Sequence, residues 1–284
     1  MPDFLSTNRQ QMLPPITSLQ NPRIKQAVKL RDRHGRDDQR RIIIDGRREV
    51  ERALAAGVQL TELFFAPDVL PPDQEKQLAR RARECGADVL DVSAMVMQKL
   101  AFGERHEGIV ATAQTPDSTL SRFATLLQSR QTPHLLAIVE GLEKPGNLGA
   151  ILRTADAAGV SGLIVCAGRT DLYNPNAIRA SLGAIFTVPV AAASRAETLH
   201  FLKQQQLKIF AARVDGAIDY TAADYCGATG IVLGSEAEGL TRDWHAADVQ
   251  AIRLPMCGQV DSLNVSVAAG VIFYEALRQR KGSP

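Results

Sequence analysis

Short apolar runs alternate with longer amphipathic stretches along most of the chain, and this alternation restricts the fold more than any other feature. In the second half the strand-like runs are Leu135–Val139, Leu163–Val165, Lys208–Ala212, Gly230–Leu233 and Val249–Leu254. Helical stretches fall between them at Leu148–Ala158, Asn176–Leu182 and Ala196–Gln205, and a further strand is expected around Phe186–Val190. A closing helix is expected over about Val265–Arg280, with Val265, Ala269, Ile272, Phe273 and Ala276 as its apolar stripe. Strands and helices joined in this order by short turns pack as a mostly parallel sheet covered on both faces. The first half carries the same theme in smaller form. Strands at Ile42–Ile44, Leu60–Phe65, Ala87–Val92 and Gly108–Thr112 alternate with helices at Asn21–Leu30, Glu49–Ala56, Gln74–Cys85 and Ser93–Leu100. This argues a compact α/β domain ending near residue 115, a hinge at Thr115–Ser118, a bridging helix from about Leu120 to Gln128, and a second α/β domain.

Composition narrows the class. At 284 residues and 45% hydrophobic content the chain has room for two domains with real cores. No apolar run approaches the ~20 residues of a membrane span, and Met1–Pro15 lacks the apolar stretch of a signal peptide. Cys85, Cys166, Cys226 and Cys257 lie far apart with no CxxC and no zinc-like histidine spacing, so reduced thiols in a cytoplasmic protein without a metal are expected. The net charge of +2 is unremarked, but its distribution is not. Arg23, Arg31, Arg33, Arg36, Arg40, Arg41, Arg47, Arg48 and Arg52 crowd one early stretch, with Asp32, Asp45, Glu49 and other acids among them. Arginine's planar, permanently charged guanidinium suits phosphate; a solvated helix face with paired charges accounts for the same pattern. Few aromatics lie near it, so base stacking is not signalled.

Three segments of the second half carry the polar groups that chemistry would need. They are Pro145-Gly146-Asn147-Leu148-Gly149-Ala150-Ile151-Leu152-Arg153, then Leu233-Gly234-Ser235-Glu236-Ala237-Glu238-Gly239-Leu240, then Leu254-Pro255-Met256 followed by Ser262-Leu263-Asn264-Val265-Ser266. Each reads as a sharp turn after a strand that feeds a helix, as in a site built from loops at one end of a sheet. Glycine there lets backbone approach a ligand. Gly141–Gly146 has phosphate-loop spacing, but Asn147-Leu148 replaces the required Lys and Ser/Thr, and a P-loop is rejected. Asn147 could be an N-cap, Arg153 half of a structural ion pair, Ser235 with Glu238 a capping box, and Ser262 the cap of the last helix. Glu236 is the better candidate to hold Asn147 or Arg153. The histidines are scattered and receive no catalytic role, and Trp244 reads as a packing residue.

Taken together, the three segments resemble the signature motifs of the SpoU (TrmH-like) branch of the SPOUT RNA 2′-O-ribose methyltransferases. Asn147, Gly149 and Arg153 match Asn-x-Gly-x-x-x-Arg; Gly234, Glu236 and Gly239 match Gly-x-Glu-x-x-Gly; Leu254-Pro255-Met256 and Ser262–Ser266 match the third motif. The resemblance implies an N-terminal ribosomal-protein-L30e-like RNA-binding domain over residues 1–116 and a SPOUT α/β domain with a parallel sheet and a trefoil knot over residues 117–284. It further implies S-adenosylmethionine as methyl donor, a homodimer, and RNA as substrate, 23S ribosomal RNA before transfer RNA, with a non-catalytic RNA-binding protein as the reading from another class. By the same resemblance Leu233, Gly234, Leu254, Met256 and Leu263 would hold the donor. Asn147, Arg153, Glu236, Ser262 and Asn264 would form the catalytic set.

Overall fold

The computed structural model describes residues 14–67, 72–103, 107–131, 133–168, 170–235 and 239–282. The chain packs as two compact units, one running up to Val50 and over Gln59–Gln114, the other comprising Glu51–Val58 and everything from Thr115 onward.

In chain order the first elements are α1 (Pro22–Lys29), α2 (Arg33–Gln39), β1 (Arg41–Asp45), α3 (Arg47–Ala55), β2 (Leu60–Phe65), α4 (Pro72–Glu84), β3 (Asp88–Asp91), α5 (Ala94–Leu100) and β4 (Ile109–Gln114). Asn21 caps α1 by accepting from the Arg23 N–H, and Pro22 starts the helix where a missing donor costs nothing. The sheet has the order β1-β4-β2-β3, with β4 antiparallel to both neighbours and β2 parallel to β3. Ile43, Phe64 and Val110 from three of its strands share a core with Ile24, Ala27 and Leu30 of the α1 segment and Val96, Met97 and Leu100 of α5. Helix α2 was not foreseen. Its sequence, Arg-His-Gly-Arg-Asp-Asp-Gln, has no apolar stripe; Gly35 lies against the Lys29 carbonyl, which a side chain there would strike, so glycine permits this close approach.

The remaining elements are α6 (Leu120–Leu127), β5 (Leu135–Glu140), α7 (Pro145–Ala158), β6 (Gly162–Cys166), α8 (Pro175–Ala180), α9 (Ala184–Thr187), β7 (Val190–Ala193), α10 (Arg195–Gln204), β8 (Lys208–Ala212), β9 (Ile218–Asp219), β10 (Thr229–Leu233), β11 (Val249–Arg253) and α11 (Val265–Gly282). The seven-stranded sheet has the order β7-β6-β5-β10-β8-β11-β9, and every pairing is parallel. Every residue of β5, β6 and β10 is buried, as strands covered on both faces require. One face carries Leu136, Ile138, Ile164 and Val232 against Phe123, Phe201, Leu202 and the fully buried Trp244. Helix α7 packs against α8, α9 and α11. The buried residues of α11 are the stripe read from its sequence.

One element differs. Phe186–Val190 is not a strand: α9 ends at Thr187, and β7 begins only at Val190. Left-handed backbone at Leu182 and Gly183 turns the chain into this single-turn helix, a geometry that an apolar run does not announce.

Candidate functional site

Strands β5, β10, β8 and β11 are consecutive neighbours and parallel, so their C-terminal ends share one edge of the sheet. Brought to that edge are Leu233-Gly234-Ser235 after β10, Ala212–Asp215 after β8, and Leu254 to Met256 after β11. With Ser262, Leu263, Val265 and Ala268 they enclose a pocket of about 470 Å3, closed on another side by Gly239, Leu240 and His245. Its size and mixed lining are those of a site for a small organic ligand. Two of the turns are held by backbone packing. A side chain on Gly234 would lie 2.4 Å from the Gly239 carbonyl carbon, and Ser235 pairs with Gly239 in an isolated bridge. Gly239 sits at φ +66, where glycine carries no steric penalty.

All five residues expected to hold the donor, Leu233, Gly234, Leu254, Met256 and Leu263, line this pocket, and so does Ser262. Asn147 and Asn264, far apart in sequence, meet: the Asn264 Nδ2 donates to Asn147 Oδ1 at 3.3 Å. Asn264 Oδ1 also accepts from the Ser266 N–H at 3.0 Å and from the Ser266 hydroxyl, and its carbonyl accepts from the Ala268 N–H. Asn264 therefore caps α11, and the expectation that Ser262 does so is corrected. Asn147 is not a cap either. Helix α7 begins at Pro145 behind Lys144, which places Asn147 inside the first turn with its side chain available to Asn264.

Arg153 lies on the same helix but does not line the pocket. It lies six positions after Asn147, about 9 Å of rise and roughly 120° of rotation. It is exposed and makes no hydrogen bond or ion pair among the described residues, so the structural ion pair that its sequence context allowed is not found there. Glu236 and Glu238 lie outside the described residues. The element after them is a 3-10 turn, Arg242–His245, rather than an α-helix. The glycine of the first segment also has another task than ligand approach: a side chain on Gly149 would lie 2.5 Å from Ala180 Cβ and 2.7 Å from the Ala177 carbonyl oxygen, so it permits the close packing of α7 on α8.

Several pocket residues carried no signal in the motif segments. Arg213, with a side chain only 15% exposed, forms a two-pronged pair with Asp215 at 2.9 and 2.6 Å. That contact holds the Asp215 carboxyl below its usual range. His245, given no role from sequence, is part of the lining as well. Position at a strand's C-terminal end was the available clue for Arg213. Glu140, ending β5, was also missed. Its buried carboxylate accepts from the Thr241 N–H at 2.9 Å, the Thr241 hydroxyl at 3.0 Å and Arg195 Nε at 2.6 Å. Arg195 in turn reaches Asp243 at 3.1 Å, so this network ties the chain after Leu240 to the sheet.

Comparison with known proteins bears on this site. Residues 134–274 match the SpoU rRNA Methylase family, and residues 21–111 match the MRM3-like substrate binding domain. The 23S rRNA (guanosine-2′-O-)-methyltransferase RlmB of Ralstonia nicotianae is 34% identical over 206 residues, 72% of this chain and 82% of that protein. The crystal structure of an RNA 2′-O ribose methyltransferase is similar with TM-score 0.80 and 41% identity, covering 94% of this chain and all of the other. An AdoMet-bound rRNA methyltransferase from Sinorhizobium meliloti aligns with TM-score 0.83 and 28% identity, over 93% of this chain and 97% of that one.

Proposed function

The chain belongs to the SpoU rRNA methylase family, and from that premise we propose that it transfers a methyl group from S-adenosylmethionine to a ribose 2′-hydroxyl of 23S ribosomal RNA. The observation that carries this is the convergence of three separated segments on one sheet edge. Leu254, Met256 and Leu263 offer apolar walls to a nucleoside, and the turns at Gly234 and Leu254 bring backbone into the same wall. The residues present therefore fit S-adenosylmethionine. When bound, that donor supplies a methyl carbon made electrophilic by its sulfonium.

What remains for the protein is to place the hydroxyl in line and help it lose its proton. Asn264, hydrogen-bonded to Ser266 and Asn147 and flanked by the pocket residues Leu263 and Val265, orients a ligand at the pocket's edge in this reading. Arg153 is a poor base, because a guanidinium keeps its proton to above pH ~12. Its role in this reading is to grip the phosphate beside the target ribose and lower the hydroxyl's pKa. Ser262 and Glu236 complete the set, Glu236 as the anion that steadies Asn147 or Arg153.

The reading includes a homodimer, with the RNA-gripping domain at residues 1–116 and the methyltransferase domain, knotted, at residues 117–284. Val267, Val271 and Tyr274 support the dimer: spaced i, i+4, i+7 on α11, all three are exposed, an apolar stripe opposite the helix's buried one.

The test is transfer of labelled methyl from S-adenosylmethionine into separated ribosomal and transfer RNA, followed by alkaline hydrolysis. A 2′-O-methyl blocks cleavage at its own linkage, so label in alkali-resistant dinucleotides from 23S RNA is the expected result. Label in transfer RNA would redirect the substrate, and label released as mononucleotide would overturn ribose methylation.

A further inference from the structure

In the first unit, Arg31 is clasped on several sides. Its Nε donates to the Leu100 carbonyl at 3.0 Å, its Nη2 to Asp45 Oδ1 at 2.6 Å and also to Leu100, and its Nη1 to Asp45 Oδ2. Asp45 is buried at the end of β1, and its Oδ1 also accepts from the Phe102 N–H at 3.0 Å. The Arg31 guanidinium lies over the Phe102 ring, 5.9 Å from its centroid, within cation–π range. Phe102 is thus fixed at its backbone by Asp45 and at its ring by Arg31, yet the residue remains 41% exposed. A single exposed aromatic is ordinary. One held rigid by a buried ion pair is a preorganised surface.

Charges of both signs lie close by. Arg47 and Arg48 follow Asp45 by two and three residues, so their Cα atoms lie within about 11 Å of its Cα. The Arg47 N–H donates to Glu107 at 2.8 Å, and the half-exposed Arg48 side chain reaches the buried Glu49 at 3.6 Å, leaving part of its guanidinium facing out.

We propose that Phe102 is a stacking platform for an unpaired base of the RNA substrate, with Arg31 backing the ring and Arg47 and Arg48 taking the flanking phosphates. A fixed aromatic with neighbouring arginines is the combination that recognises splayed-out bases, and it favours loops over paired stems, whose bases are already stacked. An apolar protein contact would not call for the arginines. The inference rests on the reading that this chain binds RNA, and it deepens that reading by naming unpaired nucleotides as what the first unit reads.

The experiment measures affinity of the full-length chain for two fluorescent RNAs without donor: a hairpin with a randomised loop, and a blunt duplex of the same stem. The wild type should prefer the hairpin. Phe102→Ala and Phe102→Leu should weaken hairpin binding roughly five- to hundredfold, as expected for one lost base stack. Duplex binding and melting temperature should stay as they were, and Phe102→Trp should keep the preference. Leucine is the decisive variant, because it preserves apolar bulk and removes only the ring face. A Phe102→Leu protein with unchanged hairpin affinity, an equal loss on both RNAs, or a wild type without preference would each overturn the inference. Because donor is absent, a wild type that prefers the hairpin but fails to methylate would count against the proposed reaction and leave the platform standing.

Discussion

Arginines of the first unit and Arg153 of the second are put to opposite uses. In the first, three guanidiniums turn inward. Arg36 is buried and donates to the Leu30 and Arg31 carbonyls at 2.6 and 2.8 Å, Arg41 reaches Glu62 and Thr112, and Arg31 is clasped by Asp45. In the second, Arg153 is exposed on α7 without an ion pair among the described residues. A dense run of arginines is therefore no measure of cationic surface. Each carboxylate that a small sheet buries must be matched, since an unpaired buried charge is costly. Arg153 of the larger unit has no such carboxylate among the described residues and is left for a ligand.

This contrast predicts opposite phenotypes. The largest effect is expected for Arg153→Ala: turnover should fall about 100- to 1000-fold, as for loss of one transition-state donor, with donor affinity and melting temperature unchanged. Near-normal turnover would remove Arg153 from the reaction. Asp45→Asn should do the reverse, costing about 3 kcal/mol of stability by leaving Arg31 without its counter-charge, read as a shift in denaturation midpoint. A midpoint equal to wild type would mean that the clasp is worth little.

Asn264→Ala should weaken both donor affinity and turnover, and lose about 1 kcal/mol of stability with the α11 cap. Unchanged donor affinity would mean that Asn264 has no part in holding the donor. The smallest effect concerns pH. Burial pushes the Glu140 carboxyl up, but the Thr241 N–H, Arg195 and the Thr241 hydroxyl outweigh it and hold the group below its usual range. A carboxylate held low in the folded state adds stability above the unfolded value of ~4.3, and that stability is lost as pH falls through the lower folded value. Thermal melts should show wild type above Glu140→Gln near neutral pH and the gap closing below pH ~4. A pH-independent gap would assign Glu140 a purely steric role.

Much of the larger unit was legible because its strands are short, apolar and separated by helices with clear stripes; the buried residues of α11 follow the sequence period. The smaller unit hid more. Helix α2 has no period to read, and Phe102 meets Arg31 only through tertiary packing, so a cluster judged poor in aromatics acquires one. Within the site, the motif segments pointed to the right loops, whereas the individual roles did not follow. Capping explained Asn147 and Ser262 on paper, and the actual cap is Asn264, because the last helix begins at Val265. Arg213 and His245 sit in segments with no motif, and only the neighbour relation of β8, β10 and β11 brings them to the pocket.

The central claim is that the edge formed by β8, β10 and β11 is the methyl-donor site. It is tested most directly by titrating S-adenosylmethionine into the wild type and into Met256→Trp, whose larger ring would fill the pocket without burying a new charge. The account predicts saturable binding to the wild type and at least about tenfold weaker binding to the variant, with melting temperatures alike. Equal affinity in two folded proteins would contradict it, and the donor would then have to bind elsewhere on the chain.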